Sequence, residues 1–528
     1  MPLTILKRNT NQARLLAEYA REFMKSGKPD VEVLERTKKF HTDSVLCGIS
    51  ALALRTNAPT VLKQEALQFG KKGSSSNKTV QGYTKCFGSS ELVLDYKGVA
   101  ANCSAVREWD SNGTVFGYRS DSKLHQAGEF GHNDFYPVVI AAAQQNKNIN
   151  GATALKAMVL LDEIRGRLAE CFALKKYKVD HVVHGAIASL VTYGILLDAS
   201  PEQIEHGIGM FVAHYIPFRA IRAGHQLSDS KGASAALSTE VALMSLRRAM
   251  MGFVGPKDIF RNPEAIFRLF TGIKEFESPF DIWLSTEGND FSIMGMHFKL
   301  GLYEHQSAGA LQGLLNLIYN EKFVQHNNFD NIGKIKITIY EPAYGIICDP
   351  HKKNPTTRQS ADHSMLYILS TMLRKAIEHP SLYSDVKTID CLWKKLMLLP
   401  DDYSYSAVNN KETRKLMEKI ELEHGGKEYD DKYPDGIPTT ITINTTDDKQ
   451  ISSGLVMYPA GHGRNKDANL DDILATKFSS LGRLALKEND VERFINKLNE
   501  FDSLSHKDLR NIYNCDIVYT KKSIDDAE

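Results

Sequence analysis

Between residues 137 and 251 the chain places apolar residues at helical spacing almost without a break, and this run limits it to a fold with a helical centre. Within 152–174, Leu155, Val159, Leu161, Leu168 and Phe172 recur near a 3.6-residue period. Residues 185–197 are apolar nearly all round and rich in small side chains, as a central helix would be. Further helices are expected over 201–212 and 231–251. Upstream, 12–24 puts Leu15, Leu16, Tyr19 and Phe23 on one side of a helix. Residues 31–54 become small and apolar toward their end (VLCGISALAL), and 92–107 returns to helix. No strand alternates with these helices, so a βαβ core is excluded.

The pattern changes after residue 295. KIKITIY (334–340) alternates Ile335, Ile337 and Ile339 with polar residues, the signature of a half-buried strand. Residues 364–377 read as a helix. TTITINTT and ISSGLVMYP, within 439–459, read as two strands joined by Asp447-Asp448-Lys449. The charged stretch 411–436 reads as a solvated helix and loop, and KKGSSSNKT (71–79) as a polar loop. Residues 475–514 are helical again, with Phe494 and Leu498 at helical spacing. The expected architecture is mainly α. A large all-helical domain spans 1–295, a smaller α+β lid spans 296–474, and C-terminal helices in 475–528 return to the helical domain.

Sixty-five lysines and arginines balance 64 acids, for a net charge of +1 across 528 residues. A general nucleic-acid or membrane-surface role would need a basic face, so neither partner is expected, although a local basic pocket is allowed. The seven cysteines (Cys47, Cys86, Cys103, Cys171, Cys348, Cys391, Cys515) form no CxxC pair and have no cluster-like spacing. They point to a reducing compartment without a thiolate zinc or iron–sulfur site. No apolar run reaches the roughly 18 residues of a membrane span. The N-terminal MPLTILKRNTNQAR is basic and free of acids until Glu18, as in a mitochondrial leader, but 13–23 already reads as a packed helix. The expected location is therefore cytoplasmic, with mitochondrial as the alternative.

Candidate chemistry concentrates in 100–135, where Asp110-Ser111-Asn112-Gly113-Thr114 and Gly131-His132-Asn133-Asp134 lie between long apolar runs. Buried polar groups need partners, so such a loop is costly unless used. Read alone, each cluster equally suits a helix cap at Asp110 or a turn at Gly131. Arg219 and Arg222 stand three apart, followed by Ser228 or Asp229 as an N-cap and Lys231 in the first helical turn. The helix dipole disfavours a cation there, so Lys231 with the two arginines suggests a polycarboxylate site; a surface basic patch is the plainer alternative. His181 and His184 are spaced as a helical pair but lack a clear third metal ligand, and core or surface histidines fit better. Lys299 and His305 fall at the domain junction. His363 and Tyr367 share one helix face, as a packed pair also would. No Walker A, Rossmann fingerprint, HExxH or GxSxG sequence is present.

These stretches carry a family resemblance. REWDSNGT (107–114), Gly131-His132, DHV (180–182), FRAIRAGHQLSDSKGASAA (218–236), FKLGLYEHQ (298–306) and NPTTRQSADHSMLY (354–367) occur in an order and separation that resembles the MmgE/PrpD family. That family includes 2-methylcitrate dehydratase and cis-aconitate decarboxylase. The likeness runs from about Ala13 to about Arg464. It implies a homodimer, no metal or organic cofactor, and a small di- or tricarboxylate substrate. It also implies catalytic roles for Asp110, Thr114, His132, His181, Lys231 and Lys299, with Arg219, Arg222, His305, His363 and Tyr367 around the substrate. Asp110 is expected to orient a ring nitrogen, Thr114 to hold a substrate carboxylate, and His132 and His181 to move protons. Gly113 stands where the family usually has a second acid, the 115–131 segment is longer, and Asn133 replaces a common proline. The implied activity is metal-independent dehydration of a 2-methylcitrate-like tricarboxylate. The alternatives are cis-aconitate decarboxylation and a non-catalytic metabolite-binding paralogue.

Overall fold

A computed structural model describes residues 3–71, 79–222, 225–269, 271–272, 274–326, 328–347, 350–383 and 385–527. Most of the polar loop expected at 71–79, the Ala223-Gly224 pair after the arginines and Cys348 lie outside the described residues.

The helical periodicity of the first half becomes a bundle. Helix α1 (Gln12–Ser26) buries Leu16, Ala17, Ala20 and Phe23, and the Asn11 side chain caps it by accepting from Arg14 N at 3.3 Å. It is followed by α2 (Val31–Ala53), α3 (Asn57–Gln68), α4 (Asp95–Arg107), α5 (Tyr136–Ala143) and α6 (Gly151–Cys171). Helix α7 (Val182–Leu196) is buried on nearly every side, as its unbroken apolar sequence requires. Helix α8 (Pro201–His214) begins with a capping box: Ser200 Oγ accepts from Gln203 N at 3.1 Å, and Gln203 Oε1 accepts from Ser200 N at 2.8 Å. Such caps are worth about 1 kcal/mol. Helix α9 (Asp229–Met250) packs against α4, α7 and α8, and its small residues Gly232, Ala233, Ala235 and Ala236 allow that approach.

Four short two-stranded pairings accompany the bundle among the described residues, and two of them bear on the argument. Strand β1 (Leu3–Leu6) runs antiparallel to Ile282–Ser285, so residues with a leader-like composition are part of the fold. Inside the candidate loop, β2 (Thr114–Phe116) pairs with β3 (Phe130–His132), with Thr114 opposite His132. Gly131 thus sits in a strand and not in a turn.

The α+β region contains one four-stranded sheet. Its central strand β4 (Ile332–Ile339) is flanked by β5 (Ile420–His424), parallel to it, and β6 (Thr439–Thr445), antiparallel; β7 (Gln450–Ser452) follows on the outside. Strand β5 replaces part of the solvated helix and loop expected over 411–436. Its sequence, IELEH, hides the strand because both outward residues are acids. They pair with lysines of the neighbouring strand, Glu421 with Lys334 and Glu423 with Lys336, the latter at 3.1 Å. ISSGLVMYP is strand only at its start, with a single further bridge from Val456 to Thr439. Helices α10 (Ala308–Asn320) and α11 (Met365–Glu378) cover this region. The C-terminal helices α12 (Leu470–Ala485) and α13 (Glu488–Asn499) pack on α2. Lys477 of α12 pairs with the buried Asp43 at 2.6 Å and donates to the carbonyls of Ser111 at 2.6 Å and Lys299 at 2.8 Å. The C-terminal helix thereby braces both the candidate loop and the junction.

Candidate active site

Helix α4 ends at Arg107, and the chain turns inward through Asp110, whose φ of +50° lies in the left-handed region. That conformation costs an ordinary residue on the order of 1–2 kcal/mol. Charge holds it in place. Asp110 Oδ1 meets Arg107 Nη1 at 2.6 Å and also the Lys299 ammonium, while Oδ2 meets His363 Nε2 at 3.0 Å and Lys231 Nζ at 3.6 Å. Lys299 Nζ donates as well to the Asp110 carbonyl at 3.1 Å. Burial alone would raise the Asp110 pKa, but Arg107, Lys299, Lys231 and His363 outweigh it and hold the carboxyl well below the usual range. Asp110 is therefore no helix cap; it is the anion around which three parts of the chain assemble.

Asp362 is a second carboxyl beside the first. Lys231 Nζ donates to it at 3.1 and 3.3 Å, and its Oδ1 lies 2.6 Å from His363 Nδ1. Burial pushes Asp362 up to about 7 against the pull of Lys231, with the Asp110 charge adding to the push. Burial and the Lys231 charge hold His363 well below its usual value. These directions fit one proton arrangement. A neutral imidazole has a single N–H, yet His363 faces a carboxyl at each nitrogen; protonated Asp362 donating to Nδ1 would answer the hydrogen-bonded one, and Nε2 lies 3.0 Å from Asp110 Oδ2. Ligand-capable atoms of Asp110, Asp362 and His363 lie within 4.8 Å of one another. Lys231, Lys299 and Arg107 already neutralise that cluster, so it reads as an ion-pair network. Lys231 is not the unpartnered first-turn cation that the helix start suggested, and Ser228 at the N-cap makes no side-chain cap bond.

The opposite wall is made of imidazoles. The β2–β3 register sets His132 beside Thr114, and the His132 and His181 rings lie 5.4 Å apart. His181 opens α7 with Nδ1 at 3.5 Å from Asp180 Oδ1. Asp180 is in turn clamped by Arg222, which donates through Nε and, at 3.2 Å, through Nη2. Burial is the first cause that keeps both His132 and His181 well below the usual imidazole value; Arg107 and Lys299 add to it at His132, and the two pocket arginines at His181. Neither ring nitrogen of His181, nor His132 Nδ1, has a hydrogen-bond partner among the described residues. Buried, neutral and unpartnered, each ring keeps a donor or an acceptor nitrogen available to a ligand.

The pocket between these walls is lined by Thr114, His132, His181, His305 and His363, by the cations Arg219, Arg222, Lys231 and Lys352, and by the rings of Phe116 and Phe130. Arg219 Nη1 has no partner among the described residues. His305 stacks on His297 at 4.8 Å, and both its nitrogens are unpartnered among those residues. Thr114 Oγ1 donates to the Gly131 carbonyl at 3.1 Å. Asp110 and Lys299 sit just behind this lining, and Asp110 orients His363, not His132 or His181. Tyr367 is fully buried, donates to the Asp402 carbonyl at 2.6 Å and lies outside the lining; its spacing from His363 reflects packing. His184 faces the Phe172 carbonyl at 2.9 Å, away from His181, so the two form no pair. Lys352, Asp362, Asp180 and Arg107 join the site without having been singled out in the sequence, and Glu304 joins it from the junction stretch. Glu304, Asp362 and Asp180 each adjoin a histidine in the family-like motifs, and that adjacency is the signal that could have found them.

The family model for the MmgE/PrpD N-terminal domain matches residues 14–279, and that for the MmgE/PrpD C-terminal domain matches residues 304–502. A Saccharomyces cerevisiae protein named "Probable 2-methylcitrate dehydratase" is 23% identical over 91% of this chain and 87% of its own length. An alkylcitrate dehydratase from a fungal species is 24% identical over 67% of this chain and 66% of its own length. The 2-methylcitrate dehydratase of Escherichia coli strain K12 is 22% identical over 73% of this chain and 75% of its own length.

Proposed function

Because the chain belongs to the MmgE/PrpD family, we propose that it is a hydro-lyase that removes water from a 2-methylcitrate-like tricarboxylate to give the corresponding cis-aconitate, without a metal or organic cofactor. Its similarity to proteins named 2-methylcitrate and alkylcitrate dehydratases supports this reading. The observation that carries it is the meeting, in one pocket, of four cations with imidazoles whose nitrogens are unspent.

The chemistry follows from that pairing. A C–H bond next to a carboxylate breaks, its electron pair becomes the new C=C bond, and the neighbouring C–O bond breaks so that hydroxyl leaves as water. A neutral His132 or His181 takes the proton. Negative charge then builds on the adjacent carboxylate, and fixed cations there lower the barrier; one well-placed group of this kind is worth about 3–4 kcal/mol. Arg219 and Arg222 line the pocket for that task, and Lys231 adds its charge while paired with Asp362. Asp110 holds Lys231, Lys299 and His363 in register, so its part is to position the cations.

The test is a substrate panel. Purified protein is mixed with 2-methylcitrate, citrate and cis-aconitate, with and without EDTA, while unsaturated-acid absorbance and released carbon dioxide are followed. Absorbance growth with 2-methylcitrate that survives the chelator is expected. Carbon dioxide from cis-aconitate without dehydration would move the assignment to a carboxy-lyase, and no change with any substrate would favour a binding protein. The reading also takes a second copy of the chain as partner, which light scattering on the purified protein tests.

A further inference from the structure

All four imidazoles on the pocket wall are depressed by burial, so each is neutral and none carries the proton an acid needs at neutral pH. Dehydration also needs a proton for the departing hydroxyl. Glu304 is the single carboxyl among the described lining residues. Its backbone N–H donates to the Asp362 carbonyl at 2.8 Å, and its Oε2 accepts from Gln306 N at 2.9 Å. The first contact holds the Glu304 backbone and the second one oxygen of its side chain. The bond from Gln306 engages Oε2 and not Oε1. We propose that Glu304 is the acid that protonates the leaving hydroxyl.

The inference rests on the dehydratase reading above. The groups that act on Glu304 come from every side: Asp110 from the candidate loop, Lys299 from the junction, and Lys352, Tyr340 and Tyr433 from the α+β region. Burial and the Asp110 charge push its carboxyl up to about 7, against Lys299 and Lys352. A pKa near the working pH is what a general acid needs. It also resolves a conflict of sign, since an ionised carboxylate on this wall would repel the anion that the cations attract. In the step itself, the Oε1 proton passes to the hydroxyl oxygen as that oxygen takes the C–O electron pair, and water forms. Glu304 is left as a carboxylate and regains a proton from solvent, and the imidazole returns the α-proton to solvent.

The experiment compares the parent with Glu304→Gln and Glu304→Asp, in kcat across pH and in calorimetric binding of tricarballylate, a tricarboxylate that lacks the hydroxyl. Thermal melts check that the variants are folded. Glu304→Gln is expected to lose about 10²–10⁴-fold in kcat with little change in KM, and to lose the fall in rate above about pH 7. Glu304→Asp should keep that fall and recover part of the rate. Parent affinity for tricarballylate should weaken as pH rises through about 7, and Glu304→Gln should weaken clearly less, the remainder being that of Asp362. A Glu304→Gln enzyme with parental kcat and parental pH dependence overturns the proposal. So does an alkaline fall that persists in Glu304→Gln and vanishes in Asp362→Asn, because the proton then comes from the Asp362–His363 pair. A parent that binds tricarballylate with this pH dependence but dehydrates no tricarboxylate sinks the dehydratase reading, and the acid role with it.

Discussion

The two walls of the pocket treat buried polarity in opposite ways. On the Asp110 wall opposite charges meet: one carboxylate holds Arg107, Lys299, Lys231 and His363, and Lys231 reaches on to Asp362. On the His132–His181 wall, ring nitrogens are buried with no partner among the described residues. The first wall spends its interactions on itself, so its removal should be felt by the fold. The second holds its capacity in reserve, so its removal should be felt by a ligand and hardly by the fold.

The largest expected effect tests the first wall. Asp110→Asn leaves three buried cations short of their anion, and it should cost about 3–5 kcal/mol in urea unfolding and abolish turnover. Unfolding at the parental urea concentration would break the contrast. His132→Gln and His181→Gln test the second wall. Each should lower kcat/KM by about 10²–10⁴-fold while unfolding free energy stays within about 1 kcal/mol of the parent. A variant that loses several kcal/mol of stability would place its histidine on the structural side.

The pH dependence of stability sharpens the same contrast. Folded His132 and His181 hold protons more weakly than an unfolded imidazole, whose ordinary value is 6.5. Their contribution to stability is therefore present above about pH 6.5 and is lost on acidification, at about 1.4 kcal/mol per pH unit for each group. Glu304 and Asp362 have the opposite sign: both rise from ordinary values of 4.5 and 3.8 to about 7, so their contribution is full below those ordinary values and is lost progressively as pH rises to about 7. Denaturation between about pH 6.5 and 5.5 should show the double variant His132→Gln/His181→Gln losing about 2 kcal/mol less than the parent. Parallel slopes would mean that these imidazoles are not the buried neutral groups described. The smallest effect belongs to Tyr367→Phe, which removes one hydrogen bond to Asp402 outside the pocket. It should cost about 0.5–1.5 kcal/mol in a thermal melt and leave kcat/KM within about twofold. A large rate loss would return Tyr367 to the substrate.

Much of this architecture is legible in the order of the residues. The helices from 12 to 251 and the strand at 334–340 announce themselves because burying one face imposes a period, and period is a local property of the chain. The motifs also place most pocket residues, down to the histidine beside each acid that did not stand out. Legibility ends where a local pattern has two meanings. IELEH looks solvated because an edge strand with outward acids has the composition of a polar helix or loop. Lys231 looks like a cation set against a helix dipole because its partner lies far along the chain.

Local order, then, was the sequence's to determine: which segments coil, which pair, which faces are apolar, and which family the motifs resemble. Tertiary structure alone decided who answers whom. Lys231 meets Asp362 across 131 positions and Lys299 meets Asp110 across 189. Those contacts separate the residues that hold the site from those that face its ligand. The physical reason is that Coulomb attraction and desolvation depend on distance in space and carry no period along the chain, so whether a charge is answered can be read only after the helices have packed.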